Sequence, residues 1–218
     1  MNNSSPTYKE LTVDYYDKHA KEYAQSVDDH YSTEQISTFL AMLPDNPKVL
    51  DAGCGSGRDV YIMHKAGAHA VGVDLSEGMI KYAREQYKDL EFHLSDVLTL
   101  PFEDDVFDGV WAHGILFHLE TEEEVKKALK EFDRVLKKNG VLHVLVKLQK
   151  DSQKIKIFDD NPDKHPRIYR FFQKEELNIL LGEAGFESII LETYDENERN
   201  PKGRHDVTWL HSLSRKVS

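Results

Sequence analysis

Cysteine is nearly missing: Cys54 is the single one in 218 residues, so no internal disulfide can form and no thiolate cage can hold a metal. The histidines are scattered, and no spacing of Cys, His or carboxylates marks a metal site; none is expected. Near Met1 there is no charged-then-apolar leader and no long apolar stretch, so the expectation is a cytoplasmic protein without a membrane segment. Positive charge is also short. Against 39 Asp and Glu stand 28 Lys and Arg, for a net charge of −11 and a pI near 5.4. A field of that sign repels phosphate backbones and anionic lipid, which disfavours nucleic acid as a partner even though residues 126–156 are locally rich in lysine. Internal repeats and low-complexity segments are absent too, and the length suits one α/β domain.

What is present alternates. An aromatic-rich helical pattern carrying Tyr8, Tyr15, Tyr16, Tyr23, Tyr31 and Phe39 is stopped at Pro44-Asp45-Asn46-Pro47. Val49-Leu50 opens a strand, residues 59–66 read as a helix closed by Gly67, and residues 68–74 read as the next strand. Ser76 is an N-cap for a helix over 79–87, and residues 90–94 and 107–112 read as strands. Thr121 with Glu124 makes a capping box, after which Val125, Leu129, Phe132 and Leu136 recur at helical spacing up to Gly140. Residues 141–146 form an apolar run suited to a strand covered on both faces. A polar stretch over 147–167, with a turn at Asp159-Asp160-Asn161-Pro162, is too long for an ordinary connection. A helix over 173–184 and strands over 186–194 and 207–213 close the chain. Strands alternating with helices predict an α/β, doubly wound, Rossmann-like sheet with helices on both faces.

The segment KVLDAGCGSGRDV, residues 48–60, places Asp51 at the end of the first strand and Gly53, Gly55 and Gly57 in the turn that follows. Glycines there let a ligand approach the main chain at the switch point of such a sheet. Asp74 ends the second strand, where an acid can accept from two ribose hydroxyls, and Asp96 follows the third, placed for an adenine amino group. A dinucleotide fingerprint wants a third glycine at the position Arg58 holds. The pattern Asp-x-Gly-x-Gly-x-Gly suits instead a ligand with no phosphate and with positive charge beside the loop, and S-adenosyl-L-methionine is such a ligand.

With these landmarks the chain resembles the class I S-adenosylmethionine-dependent methyltransferases. The likeness runs through Val49-Leu50-Asp51-Ala52-Gly53-Cys54-Gly55-Ser56-Gly57, Gly72-Val73-Asp74-Leu75-Ser76, Ser95-Asp96-Val97, Phe107-Asp108 and Leu136-Lys137-Lys138-Asn139-Gly140-Val141-Leu142. Ile168–Phe172, Glu175-Glu176-Leu177 and Trp209-Leu210 are similar to a subgroup of small bacterial methyltransferases, and more loosely to tRNA wobble-uridine methyltransferases. The resemblance implies a seven-stranded sheet with an antiparallel last strand. It also implies the main chain of Ala52, Gly53, Cys54 and Gly55 along the methionine portion of the cofactor, and Asp74 on the ribose. Leu75 and Met79 would flank the adenine, with Asp96 and the Val97 amide at its edge. Ala112 and His113 would lie near the methionine end, and Tyr16, Tyr23 and Arg58 near its carboxylate. On this division residues 1–44 are a helical lid, 45–146 the cofactor-binding core, 147–172 a variable substrate-side segment, and 173–218 the closing helix and strands.

Methyl transfer is an in-line displacement, so positioning supplies most of the acceleration, and a base is needed only for an acceptor that arrives protonated. His113 and His118, at the end of the fourth strand, are the candidate catalytic residues. Ile168–Phe172 can wall an acceptor pocket or dock the following helix. Cys54, near a helix N-terminus, is either a thiol of lowered pKa or a small residue that fits the loop. The expected reaction moves a methyl group to an O, N or S nucleophile of a small molecule, leaving S-adenosyl-L-homocysteine. The alternatives are a tRNA wobble-uridine-type methyltransferase, an NAD(P)-dependent oxidoreductase and a cofactor-binding scaffold without turnover.

Overall fold

The computed structural model describes residues 6–26, 32–158, 166–196 and 207–217. Helix α1 (Tyr8–Ser26), with a kink at His19, and helix α2 (Thr33–Leu40) precede strand β1 (Lys48–Ala52). Then come α3 (Arg58–Lys65), β2 (His69–Asp74), α4 (Glu77–Gln86), β3 (Glu91–Leu94) and β4 (Phe107–His113). A 3-10 turn over Leu116–His118 leads to α5 (Glu122–Val135) and β5 (Leu136–Lys147). The chain continues through a hairpin of β6 (Ile155–Phe158) and β7 (Arg167–Arg170), then α6 (Lys174–Glu183), β8 (Phe186–Asp195) and β9 (Thr208–Lys216).

The main sheet has seven strands in the order β3-β2-β1-β4-β5-β9-β8, and β9 runs antiparallel to both neighbours; seven strands and an antiparallel last strand are what the resemblance implies. Side chains alternate across it. Leu50, Ala52, Val110 and Ala112 face the apolar cluster built with Leu129 and Phe132 of α5, whereas Val49 and Trp111 face the one built with Phe39 of α2 and Met63 of α3. Both faces are therefore covered, which is why β1 and β4 read as nearly continuous apolar runs. Strand order reverses between β1 and β4, and the crevice at their C-terminal ends is where ligands enter sheets of this kind.

Three elements depart from the sequence reading. Helix α5 stops at Val135 rather than near Gly140: Leu136 keeps helical spacing in sequence but is extended (φ −77°, ψ 137°) and pairs with Phe107 in the sheet. The polar stretch contains β6, whose half-exposed alternation carries no strong apolar signal; its expected turn at 159–162 lies outside the described residues. The expected helical lid divides in two. α2 sinks Ile36 and Phe39 into the core, and only α1 lies over the strand ends. No helix among the described residues is long and apolar enough to cross a membrane.

Candidate active site

A cavity of about 730 Å³ opens at the ends of β1, β2, β4 and β5, floored by the glycine loop and roofed by α1. The loop is pinned from below: the amides of Gly53 and Cys54 both donate to the Val73 carbonyl, at 2.8 and 2.9 Å. Gly53 has φ +82°, and a Cβ there would come within 2.7 Å of Ile115. Only glycine lets the chain turn at this point while the loop after β4 closes down on it.

Asp51 is the most exceptional side chain of the floor. It is 2% exposed, it lines the cavity, and its Oδ2 has no hydrogen-bond partner among the described residues. Burial, reinforced by the neighbouring Asp59 and Asp74 carboxylates, pushes its pKa well above the usual range. Asp59 differs although it is buried alongside. It accepts from Ser32 Oγ (2.9 Å), Trp111 Nε1 (2.9 Å) and Arg58 Nε (2.7 Å). Burial raises its pKa, but Arg58, His113 and these hydrogen bonds outweigh that and leave it lowered. Asp59 thus has its partners, and Asp51 Oδ2 has none among the described residues.

The other two acids also line the cavity. Asp74 accepts from the amides of Gly55 and Ser76, each at 2.9 Å, tying the glycine loop to the start of α4; burial nevertheless raises its pKa. Asp96 accepts from the Leu98 amide at 3.0 Å and is ion-paired with Lys9 Nζ at 2.6 Å.

Leu75, Met79 and Val97 stand between these acids along the wall, and Gly53, Cys54, Gly55 and Arg58 line the floor. Tyr16 and Tyr23 of α1 reach the cavity with their rings edge to face at 5.2 Å. Ala52 and Ala112 do not line it. Strand alternation turns both side chains to the α5 face, where they are fully buried; the expectation for Ala52 concerns its main chain. The Cys54 thiol is pushed up, not down, by burial and by Asp74 and Asp51, and it packs over Gly72, whose added Cβ would lie 2.8 Å from its sulfur.

His113 and His118 both line the cavity. Burial lowers His113 to about 4, and its Nδ1 lies 3.2 Å from His143 Nε2. Burial lowers His118 to about 3, with Lys147 and Arg167 adding to the effect. Its Nδ1 is 3.0 Å from the Ile168 carbonyl, so that nitrogen carries the hydrogen, and Nε2 accepts from the Tyr16 hydroxyl at 3.0 Å. The Tyr16 hydroxyl is raised well above its usual pKa by burial and stays protonated.

Several residues of the site were not singled out in the sequence. Asp17 of α1 accepts from Ser76 Oγ (2.6 Å) and the Gly78 amide (2.9 Å), and Thr12 Oγ1 accepts from the Ile168 amide (3.2 Å). α1 is thereby seated on α4 at one side and β7 at the other. Lys147, Arg167, Tyr169 and Trp209 line the end of the cavity away from Asp74 and Asp96. Of these, Tyr169 and Trp209 lie in stretches flagged by resemblance; the cations carry no local motif. Among the described residues no group of three or more Cys, His, Asp or Glu can hold a metal.

Residues 50–144 match the family described as "Methyltransferase domain". A tRNA (carboxymethyluridine(34)-5-O)-methyltransferase of Arabidopsis thaliana is 33% identical over 112 residues, 51% of this chain and 27% of that protein. A demethylmenaquinone methyltransferase of Clavibacter sepedonicus is 36% identical over 110 residues, 49% of this chain and 44% of that protein. The chain thus spans less than half the length of either relative. Among solved structures, the fold matches 1,6-didemethyltoxoflavin-N1-methyltransferase of Burkholderia thailandensis, which holds 1,6-didemethyltoxoflavin and S-adenosylhomocysteine. The TM-score is 0.74 at 21% identity, over 99% of this chain and 93% of that one. The matched domain sets aside the dinucleotide reading that Arg58 already disfavoured. An unpartnered buried carboxylate beside a bare main-chain loop, acids at successive strand ends and the match agree: residues 50–144 carry a methyltransferase domain, in a chain whose fold is shared with S-adenosylmethionine-dependent methyltransferases.

Proposed function

We propose that this protein binds S-adenosyl-L-methionine in the crevice over the glycine loop and catalyses methyl transfer to an O, N or S nucleophile of a small molecule, with S-adenosyl-L-homocysteine as the product. The cofactor supplies a methyl carbon bonded to a positively charged sulfur. One observation carries the reading: the Asp51 carboxylate, buried, unpartnered at Oδ2 among the described residues and facing the cavity, is an acceptor for an ammonium group. The main chain of Gly53 to Gly55 lies along the methionine portion, and Asp74 turns its remaining lone pairs to the ribose. Met79 and Leu75 flank the adenine, whose amino edge shares Asp96 with Lys9. The Tyr16 and Tyr23 rings close over the methionine end, where Arg58 stands beside them.

Rate then comes from holding the nucleophile in line with the methyl carbon under a roof, α1, that excludes water. In this reading neither histidine removes a proton. His118 remains neutral at physiological pH, and its acceptor nitrogen is occupied by Tyr16, so it positions Tyr16. His113 is too weak a base and faces His143.

A small acceptor is favoured by the roofed cavity, whose volume is that of a small-molecule site. The printed names of the Clavibacter and Burkholderia proteins point the same way. The name of the Arabidopsis relative favours a second reading, methylation of a tRNA wobble uridine; a net charge of −11 opposes it. The test is calorimetry with S-adenosylhomocysteine. One site per chain is expected, with affinity lowered about 10- to 100-fold in Asp51→Asn, the scale of a lost charge-assisted hydrogen bond. No binding, or equal binding by the variant, overturns the reading.

A further inference from the structure

Behind the cavity wall, where β4 and β5 lie side by side, Trp111, His113, His143 and Phe39 pack together. His113 Nδ1 is 3.2 Å from His143 Nε2, and the ring centres are 5.4 Å apart with planes 9° from parallel, so the two imidazoles meet edge to edge. The Trp111 indole lies parallel over His143 at 3.5 Å and over His113 at 5.2 Å, and its own N–H is tied to Asp59 at 2.9 Å. Neither histidine turns freely in this stack.

One hydrogen joins the two imidazoles, and burial decides which ring gives it. Both rings are neutral: burial lowers His113 to about 4 and His143 well below the usual histidine value. His143 is fully buried, and its Nδ1 has no hydrogen-bond partner among the described residues. If His113 gave the hydrogen, His143 would carry its own on Nδ1, and an N–H would be stranded in the core. Orphaned buried N–H groups are rarer than under-satisfied acceptors. If His143 gives it, the stranded atom is a bare lone pair, and both rings take the Nε2–H form that the histidine side chain intrinsically prefers. The second arrangement costs less. His113 is half-buried and lines the cavity, and its Nε2 is not sealed as His143 Nδ1 is, so the remaining N–H opens on the cavity. His118 differs: its Nδ1–H goes to Ile168 and its Nε2 accepts from Tyr16.

We propose that His143 donates to His113 and so holds it as the Nε2–H tautomer, making His113 a hydrogen-bond donor to the carboxylate of the cofactor's methionine portion. His143 is then a positioning residue, and His113 the one that touches the ligand. The partner follows from charge. With the ammonium group at Asp51, a carboxylate remains at the methionine end, and on a wall that also carries Asp51, Asp59 and Asp74 it requires an N–H. The carboxylate partner rests on the S-adenosylmethionine reading above; the tautomer stands without it.

Proton–nitrogen NMR of the isotope-labelled protein, with ring signals assigned through His113→Phe and His143→Leu, reads the tautomers directly. A hydrogen on Nε2 of both rings is expected; a hydrogen on His113 Nδ1 overturns the inference. Calorimetry then compares S-adenosylhomocysteine with the analogue that lacks its carboxylate and keeps its amine. His113→Phe should reduce the preference for the carboxylate-bearing ligand by about tenfold or more, the scale of a hydrogen bond to a charged group. His143→Leu lets the His113 hydrogen distribute over both nitrogens and should reduce that preference by about two- to fivefold, whereas His143→Gln, whose amide still donates, should keep it within about twofold. An unchanged preference in His113→Phe overturns the carboxylate partner. An unchanged tautomer and preference in His143→Leu overturn the role of His143. Failure of S-adenosylhomocysteine to bind the unaltered protein is a separate result: it overturns the cofactor reading, while the tautomer still stands or falls on the nitrogen signals.

Discussion

At one end of the cavity three carboxylates stand at or just past the ends of adjacent parallel strands: Asp51 on β1, Asp74 on β2 and Asp96 after β3. At the other, Lys147 closes β5 and Arg167 opens β7, a strand outside the main sheet. The two ends differ in how their charges are held. Asp74 and Asp96 are tied by main-chain amides of the first half of the chain, whereas Asp51 is placed by its strand and has no partner at Oδ2 among the described residues. The cations are held by aromatic faces contributed by α1, the 3-10 turn, β7 and β9. A sheet edge common to many folds thus supplies the acidic end, and later additions to that sheet supply the basic one.

α1 spans both ends, so unseating it should damage the comparison most. Gly78→Ala would place a Cβ 2.4 Å from the Asp17 carbonyl oxygen, and the helices must part, breaking the bonds from Gly78 and Ser76 to Asp17. Overpacking of this kind costs about 1–3 kcal/mol. A lower melting temperature by scanning calorimetry is expected, with S-adenosylhomocysteine affinity falling as well. An unchanged melting temperature and affinity would show that the seating of α1 on α4 does not shape the cavity.

The smallest effect is expected at Lys9. Its ion pair with Asp96 is about one-third exposed, and such pairs are worth no more than about 1 kcal/mol. Lys9→Met should therefore change S-adenosylhomocysteine affinity by less than about fivefold. A larger loss by calorimetry would make Lys9 a principal part of the adenine end.

The acidic end was legible in the sequence because its parts are local: Asp51 and its glycines occupy seven consecutive residues, and Asp74 and Asp96 each sit beside a short signature. The basic end was not. Lys147 ends an apolar run and Arg167 lies in a stretch read as polar, and exposed cations are the ordinary expectation for both. Only the fold, which brings Tyr169 and Trp209 to Lys147, shows that they are buried. Asp17 was equally silent, since its partner Gly78 is 61 residues away. The doubly wound sheet followed from the alternation, and its seven strands and antiparallel last strand from family likeness; the strand order is read from the structure. The end of α5 did not, because Leu136 serves the sheet at a spacing that also suits a helix.

The central claim is that Asp51 stands ready for a cation, and proton linkage tests it most directly. Burial raises its pKa in the empty protein, so a proton is held there over a window extending well above the ordinary carboxylate range. An ammonium group favours the ionised form and expels that proton. Affinity for S-adenosylhomocysteine should then rise with pH up to the raised pKa and level off above it, by at most about tenfold per pH unit. Calorimetry in buffers of different ionisation heat should show release of up to one proton per ligand below that pKa, and none in Asp51→Asn. Binding with no proton release at any pH, or release that persists in Asp51→Asn, would contradict the account.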